Sequence, residues 1–170
     1  NDVFKFKGTA FGGLAVGEGH EAMLATLDVT TPLLPQDRPR YLMGVGKPID
    51  IVESVVRGVD MFDCVLPTRS GRHGQAWLDG GRVNITNARY AAESGPLEPG
   101  CDCLACTRFS AAYLHHLYRN GELLAYRLGT VHNVRFLVRL CEQARAAIAA
   151  GQFAAFRDEF LGRYRAADEA

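Results

Sequence analysis

The chain has 170 residues, 19 Lys plus Arg against 19 Asp plus Glu, and 48% hydrophobic residues, a composition that lets a domain bury its own core without disulfides or metals. Collagen-like and disordered chains are excluded, and apolar runs such as Ile51–Val52 and Val55–Val56 fall far short of the roughly 20 residues that cross a bilayer. With zero net charge, binding to nucleic acid through overall charge is excluded, and any such contact must be local.

Residues 38–145 are the basic part, with 14 basic groups against 10 acidic ones, and 16 of the 19 basic residues are Arg, whose planar fork suits phosphate. The charged start, Asn1 to Lys7, leads into no apolar run, so no secretion signal is expected and the location expected is cytoplasmic, without a membrane partner.

Taken in chain order, Thr9–Val16 reads as a strand running into glycines, followed by a helix over His20–Leu27 and a proline-rich connection over Pro32–Pro39. Tyr41–Val45 is a short apolar strand. Gly46 and Lys47 lead into Pro48, which suits a helix's first turn, and Ile51, Val52, Val55 and Val56 make one apolar stripe ending at Gly58. Met61–Leu66 is the next strand, and the short return to it predicts a right-handed βαβ unit with parallel, buried strands. Such alternation belongs to α/β folds and leaves a barrel and an open doubly wound sheet both open. After Pro67 the pattern changes. Trp77–Ile85 alternates about Asp79-Gly80-Gly81, a hairpin signal, and helices are expected over Thr107–Asn120, Glu122–Leu128, Val131–Ala150 and Gln152–Ala167.

Cys101, Cys103 and Cys106 fall within six residues, while Cys64 and Cys141 stand apart. Neighbours so close are poorly placed to bridge one another, and an odd total without a secretion signal speaks against a disulfide framework. Three thiolates and an imidazole form a closed, tetrahedral, structural zinc site, which stabilises a fold and leaves catalysis elsewhere. His132 is the best fourth ligand, expected at the start of a helix where the preceding loop fixes it. His115 and His116 fall in mid-helix.

Asp63 interrupts an apolar strand, so it must be paired, neutral or at the strand's open end. At the C-terminal end of a parallel strand it would face the side where α/β proteins bind ligands. Arg69 and Arg72 follow, expected on a loop and suited to phosphate. A structural Asp paired with a loop Arg and a catalytic Asp both satisfy the pattern. Cys64 alternates to the other face as a core residue. Gly12-Gly13-Leu14-Ala15-Val16-Gly17-Glu18 allows close backbone approach to a flat ligand, with a spacing unlike the G-x-G-x-x-G dinucleotide fingerprint.

Together with Tyr41-Leu42-Met43-Gly44-Val45-Gly46, Asp60-Met61-Phe62-Asp63-Cys64-Val65-Leu66-Pro67-Thr68-Arg69-Ser70-Gly71-Arg72, and the set Cys101, Cys103, Cys106 and His132, this sequence resembles the bacterial tRNA-guanine transglycosylases, with the motifs in family order across almost the whole chain. The resemblance implies an α/β fold. Residues 1–72 would be the C-terminal portion of a (β/α)8 TIM barrel, about its last three strands, residues 73–132 an inserted zinc-binding subdomain, and residues 133–170 the C-terminal helices.

The implied activity is that of a glycosyltransferase. It exchanges guanine at the anticodon wobble position of tRNA for 7-aminomethyl-7-deazaguanine, on the route to queuosine, through a covalent intermediate between Asp63 and the RNA. A carboxylate nucleophile divides one hard displacement into two easier ones, as in retaining glycosidases. By the same resemblance, Gly12 and Gly13 line the base, with the Gly13 amide offered to its carbonyl, and Leu14 and Ala15 supply backbone groups for the aminomethyl arm. Glu18 steadies that peptide, Tyr41 and Met43 pack on the flat base, and Arg69 and Arg72 grip the RNA backbone beside the extruded nucleotide. Cys101, Cys103, Cys106 and His132 hold the structural zinc ion.

A complete family member is more than twice as long, so the resemblance covers only its C-terminal part. The family's general acid/base aspartate lies outside that part, and three strands alone leave an open sheet edge. The expected reading is a portion of an active transglycosylase, inactive by itself. The alternative is a non-catalytic zinc-containing RNA-binding or dimerisation module, against which the retention of Asp63, Glu18 and both arginines speaks. The family commonly forms homodimers, and Phe109, Tyr113 and His116 share a helical face that suits either a dimer contact or packing on the hairpin.

Overall fold

The computed structural model describes residues 6–164, so residues 1–5 and 165–170, the outer ends of the first and last expected segments, lie outside the described residues. The chain divides after Val65 into two units.

In the first unit β1 (Thr9–Phe11), β2 (Arg40–Leu42) and β3 (Met61–Phe62) form a parallel sheet in that order. Helix α1 (His20–Thr30) joins β1 to β2, and α2 (Pro48–Val56) joins β2 to β3, which is the expected alternation. The strands are shorter than expected, because the chain turns away at glycines: Gly13 and Gly44 adopt φ of 81° and 77°, a left-handed conformation that costs glycine little.

Helix α1 runs past Leu27 to Thr30, and the Thr26 and Thr30 hydroxyls donate back to the Ala22 and Thr26 carbonyls. The proline-rich connection opens with a 3-10 turn over Thr31–Leu33. Met23 and Leu27 from α1, Leu42 from β2, and Val45 and Val59 make the core, each side chain contributing about 2 kcal/mol by leaving water. In α2, Ile51 and Val52 are buried as expected, but Val56 is exposed while Glu53 is buried, its carboxylate paired with Arg57 at 2.9 Å.

The second unit begins with α3 (Leu66–Arg72), followed by the antiparallel hairpin β4 (Gln75–Leu78) and β5 (Gly81–Asn84), α4 (Leu104–Arg108), α5 (Ala111–Arg119), α6 (Leu123–Ala149) and α7 (Phe153–Arg163). The hairpin turns at Asp79-Gly80, as its sequence indicated. Three expectations are corrected. Met61–Leu66 is strand for two residues only, and Leu66 opens a helix with Pro67 in its first turn, so Arg69 and Arg72 lie on a helix and not on a loop. Thr107–Asn120 is divided into α4 and α5, because Ser110 caps α5 by accepting from the Tyr113 amide at 3.1 Å.

The two helices expected over Glu122–Leu128 and Val131–Ala150 are one helix of 27 residues. Gly129 serves close packing there instead of ending a helix. A Cβ on Gly129 would lie 3.1 Å from the Gly71 carbonyl oxygen, and one on Gly71 would lie 2.6 Å from the Thr130 nitrogen, so α3 and α6 cross with their backbones nearly touching. Ile85, Leu114, Leu117 and Leu128 pack with Cys101 and Cys103 in the core of this unit. Among the described residues no helix is long and apolar enough to cross a membrane.

Candidate active site and metal centre

The C-terminal ends of the three parallel strands bring the glycine-rich segment, Tyr41 to Gly44, and Asp63 to one edge of the first unit. The Met43 amide bonds the Phe11 carbonyl at 3.1 Å, and a Cβ on Gly44 would lie 3.0 Å from that of Ala15. Gly12, Gly13, Ala15, Glu18, Met43 and Asp63 are exposed, while Leu14 and Tyr41 are half-buried. Cys64, on the other face, lies against Gly46, where there is no room for a Cβ.

Asp63 is paired at its strand's open end. Its Oδ1 accepts from the Tyr41 hydroxyl at 2.6 Å and from the Gly44 amide at 3.0 Å, and Oδ2 has no bond among the described residues. The Tyr41 hydroxyl, and next the Gly44 amide, hold the Asp63 carboxyl below its ordinary range, so it is ionised at neutral pH, while the Tyr41 phenol is raised and remains a donor. Glu18 folds back so that Oε2 accepts from the Val16 amide at 3.0 Å, holding the glycine-rich loop from within. The arrangement is a carboxylate with one oxygen anchored and the other free to react, next to a loop of exposed backbone groups.

In the second unit the side chains of Cys101, Cys103, Cys106 and His132 converge, with their ligand atoms all within 4.8 Å of one another. The three sulfurs lie 3.8, 3.6 and 3.4 Å from His132 Nδ1, against about 3.6 Å for the sulfur–nitrogen edge of a tetrahedron built on ordinary zinc bond lengths. His132 and Cys101 and Cys103 are buried, and Cys106 is half-buried. His132 Nε2 lies 2.9 Å from the Trp77 carbonyl, a partner that requires the proton on Nε2 and leaves the Nδ1 lone pair facing the thiols.

Cys103 caps α4, where its sulfur accepts from the Cys106 amide at 3.4 Å. Its thiol is lowered, chiefly by hydrogen bonding from Cys101, whereas that of Cys106 is raised, first by the contact with Cys101 and then by Cys103. Three thiols this close resist full ionisation unless a cation shares their charge, and a soft dication meets that requirement. These residues therefore fit a bound metal ion. His132 is the histidine in the cluster, as expected, but it sits well inside α6 and is fixed by Trp77 instead of by a helix start.

Arg69 and Arg72 are exposed on α3, three residues apart and so neighbours on one helical face. Neither guanidinium has an ion pair among the described residues. Phe109 and Tyr113 stack with ring centroids 5.3 Å apart, Tyr113 remains exposed, and the His116 ring lies near the Asn120 amide.

A family profile for queuine tRNA-ribosyltransferase matches residues 2–166. The chain belongs to that family. It is 60% identical over 159 residues to a queuine tRNA-ribosyltransferase of Novosphingobium aromaticivorans, a match covering 94% of this chain and 42% of the relative. It is 58% identical over 159 residues to one of Caulobacter vibrioides, covering 94% and 43%, and 56% identical over 158 residues to one of Herpetosiphon aurantiacus, covering 93% and 40%. The chain thus spans about two fifths of the length of the curated relatives it matches.

Some contacts to the two centres had no clear sign in the sequence. Gly44, which bonds Asp63, is marked only by lying among glycines. Trp77 contributes backbone atoms alone. Glu98 is buried, accepts from the Asp79 amide at 2.7 Å and from Arg139 Nη2 at 2.8 Å, and offers its carbonyl to the Cys101 amide. Asp102, between two metal-ligand candidates, accepts a two-pronged bond from Arg135 at 2.7 and 3.0 Å.

Proposed function

We propose that this chain is the C-terminal part of a tRNA-guanine transglycosylase, which exchanges guanine at the anticodon wobble position for 7-aminomethyl-7-deazaguanine in queuosine formation. The observation that carries the reading is the Asp63 carboxylate, with Oδ1 anchored by Tyr41 and Gly44 and Oδ2 open at the ends of the parallel strands. In the reaction, Oδ2 donates an electron pair to C1′ of the wobble ribose as the bond from C1′ to N9 breaks. The electron pair leaves with guanine, which takes a proton from an acid outside this chain. The incoming base then attacks C1′ through N9, loses its proton, and frees Asp63 as a carboxylate.

The exposed loop at Gly12, Gly13, Leu14 and Ala15 holds the base through backbone groups, steadied by Glu18, with Tyr41 and Met43 beside it. In this reading Tyr41 has a second duty as the donor that keeps Asp63 ionised. Arg69 and Arg72, exposed and without ion pairs among the described residues, hold RNA phosphates. The three strands and their helices are the last part of a (β/α)8 barrel over residues 1–72, residues 73–132 form the zinc-binding subdomain and residues 133–170 the closing helices. Cys101, Cys103, Cys106 and His132 would hold zinc, which when bound supplies a crosslink between α4 and α6 and no chemistry. Phe109 is half-buried against the core of its unit, and the exposed ring of Tyr113 stacked on it supports a homodimer of the whole protein, which works in the cytoplasm.

The test is base exchange by the full-length protein, with labelled guanine and a cognate tRNA, beside Asp63→Ala. Exchange in the wild type that vanishes in Asp63→Ala supports the reading. Equal exchange in both removes Asp63 from the reaction, and no exchange in either moves the non-catalytic RNA-binding module ahead.

A further inference from the structure

Asn133 is completely buried, next to the metal-ligand candidate His132 on α6. Every group of its amide is used. Oδ1 accepts from the Trp77 amide at 3.0 Å, and Nδ2 donates to the Pro67 carbonyl at 3.0 Å and the Gln75 carbonyl at 2.9 Å. One N–H partner and two carbonyl partners leave a single way round for the amide. His132 bonds the carbonyl of the same Trp77, so two adjacent residues of α6 hold Trp77 by both its backbone groups.

Pro67 lies in the first turn of α3, and the far end of that helix has a second tie: the Tyr118 hydroxyl donates to the Gly71 carbonyl. The packing of Gly71 on Gly129 brings the two backbones together at this second tie. Arg69 and Arg72 ride on this same short helix. A leucine of similar volume would fill the space of Asn133, and a buried hydrogen bond adds little net stability over such a replacement. What the amide adds is register, because its three bonds are satisfied in one placement of α3 and the hairpin.

We propose that Asn133 is a positioning residue for RNA binding: with Tyr118 it fixes α3, and with it Arg69 and Arg72, in register on the helix that carries the metal ligand. This rests on the reading of Arg69 and Arg72 as RNA contacts. Misplacing a gripping helix by a fraction of an ångström weakens phosphate contacts and leaves the carboxylate chemistry alone.

The test uses the full-length enzyme and measures KM for tRNA, KM for free guanine, kcat and metal content. Asn133→Asp keeps the acceptor for Trp77 and loses both donors, and Tyr118→Phe removes a single hydroxyl. The expected result for Asn133→Asp is a tRNA KM raised about tenfold, with kcat within about twofold, guanine KM unchanged and metal retained. Tyr118→Phe shifts tRNA KM in the same direction by about threefold, and carries the test if Asn133→Asp fails to fold. Wild-type tRNA KM in the folded variants, or an equal fall in kcat, overturns the proposal. Arg69→Ala and Arg72→Ala separate the two readings: if they raise tRNA KM and the positioning variants do not, only this inference fails, and if they leave it unchanged the RNA-contact reading fails with it.

Discussion

The carboxylate site and the metal centre are built in opposite ways. Asp63 is exposed, comes after a strand of two residues, and is held through one oxygen by two donors. The Cys3His cluster is sunk in the core of its unit, with its histidine anchored from behind by Trp77 and its loop tied to α6 through Glu98 and Asp102. On the proposed reading Asp63 has to meet a nucleotide, and a group that must meet a substrate leaves one face open and is steadied from the other side only. A group that only holds the fold gains from closure, since each satisfied bond narrows the geometry a metal meets.

Removing metal is the sharpest way to break that contrast. Structural zinc contributes about 10 kcal/mol or more of apparent folding energy in small zinc domains, so chelation, or Cys103→Ser, is expected to lower the melting temperature by more than about 10 °C and to abolish hydrogen-exchange protection over α4 and α6. Substitution at the open site is expected to act on activity alone. Asp63→Asn is expected to cut base exchange by a factor of about 10⁴ or more while the melting temperature moves by less than about 2 °C, because an exposed side chain leaves no cavity. A melting temperature that fell with activity would show Asp63 to be structural.

Glu98→Gln keeps the acceptor for the Asp79 amide and weakens the buried pair with Arg139. Metal release to a chromophoric chelator is expected to quicken about tenfold with exchange activity of the loaded enzyme unchanged. The smallest effect is expected from Tyr41→Phe. The Tyr41 hydroxyl is the first cause of the lowered Asp63 pKa, so its loss moves that pKa up, and the acid limb of the kcat/KM profile moves to higher pH. The rate at neutral pH changes by less than about tenfold, since the carboxyl is still ionised there. The same sign governs stability: whatever Asp63 contributes is present above the ordinary carboxyl pKa of about 3.9 and is lost as pH falls through the lowered value. An acid limb that stays in place in Tyr41→Phe would show that the hydroxyl does not tune Asp63.

Short-range patterns were legible in the sequence because local chemistry decides them. The βαβ alternation, the turn at Asp79-Gly80 and the cysteine spacing all reflect such rules, and the structure carries all three. Gly129 shows where local rules end: it lies between the two helices expected from the sequence, whereas α6 runs through it unbroken and the close approach of Gly71 leaves no room there for a side chain. Leu66 was assigned to a strand from its apolar run, and Pro67 with the packing of α3 on α6 turned it into a helix start. Glu98, Trp77 and Asn133 act through burial and backbone contacts set by distant segments, so their residue types alone carried no sign of the metal centre. The Asp63 position was legible, but its partner Gly44 and the bond from Tyr41 follow from the parallel register of β2 and β3.

The most direct measurement is to trap the protein–RNA adduct of the full-length enzyme under denaturing conditions, digest both partners, and map the modified peptide by mass spectrometry. The expected result is a ribose-linked nucleotide on the peptide containing Asp63, esterified at that residue, and no adduct in Asp63→Ala. An adduct on any other residue, or one that persists in Asp63→Ala, would contradict the assignment of Asp63 as the nucleophile.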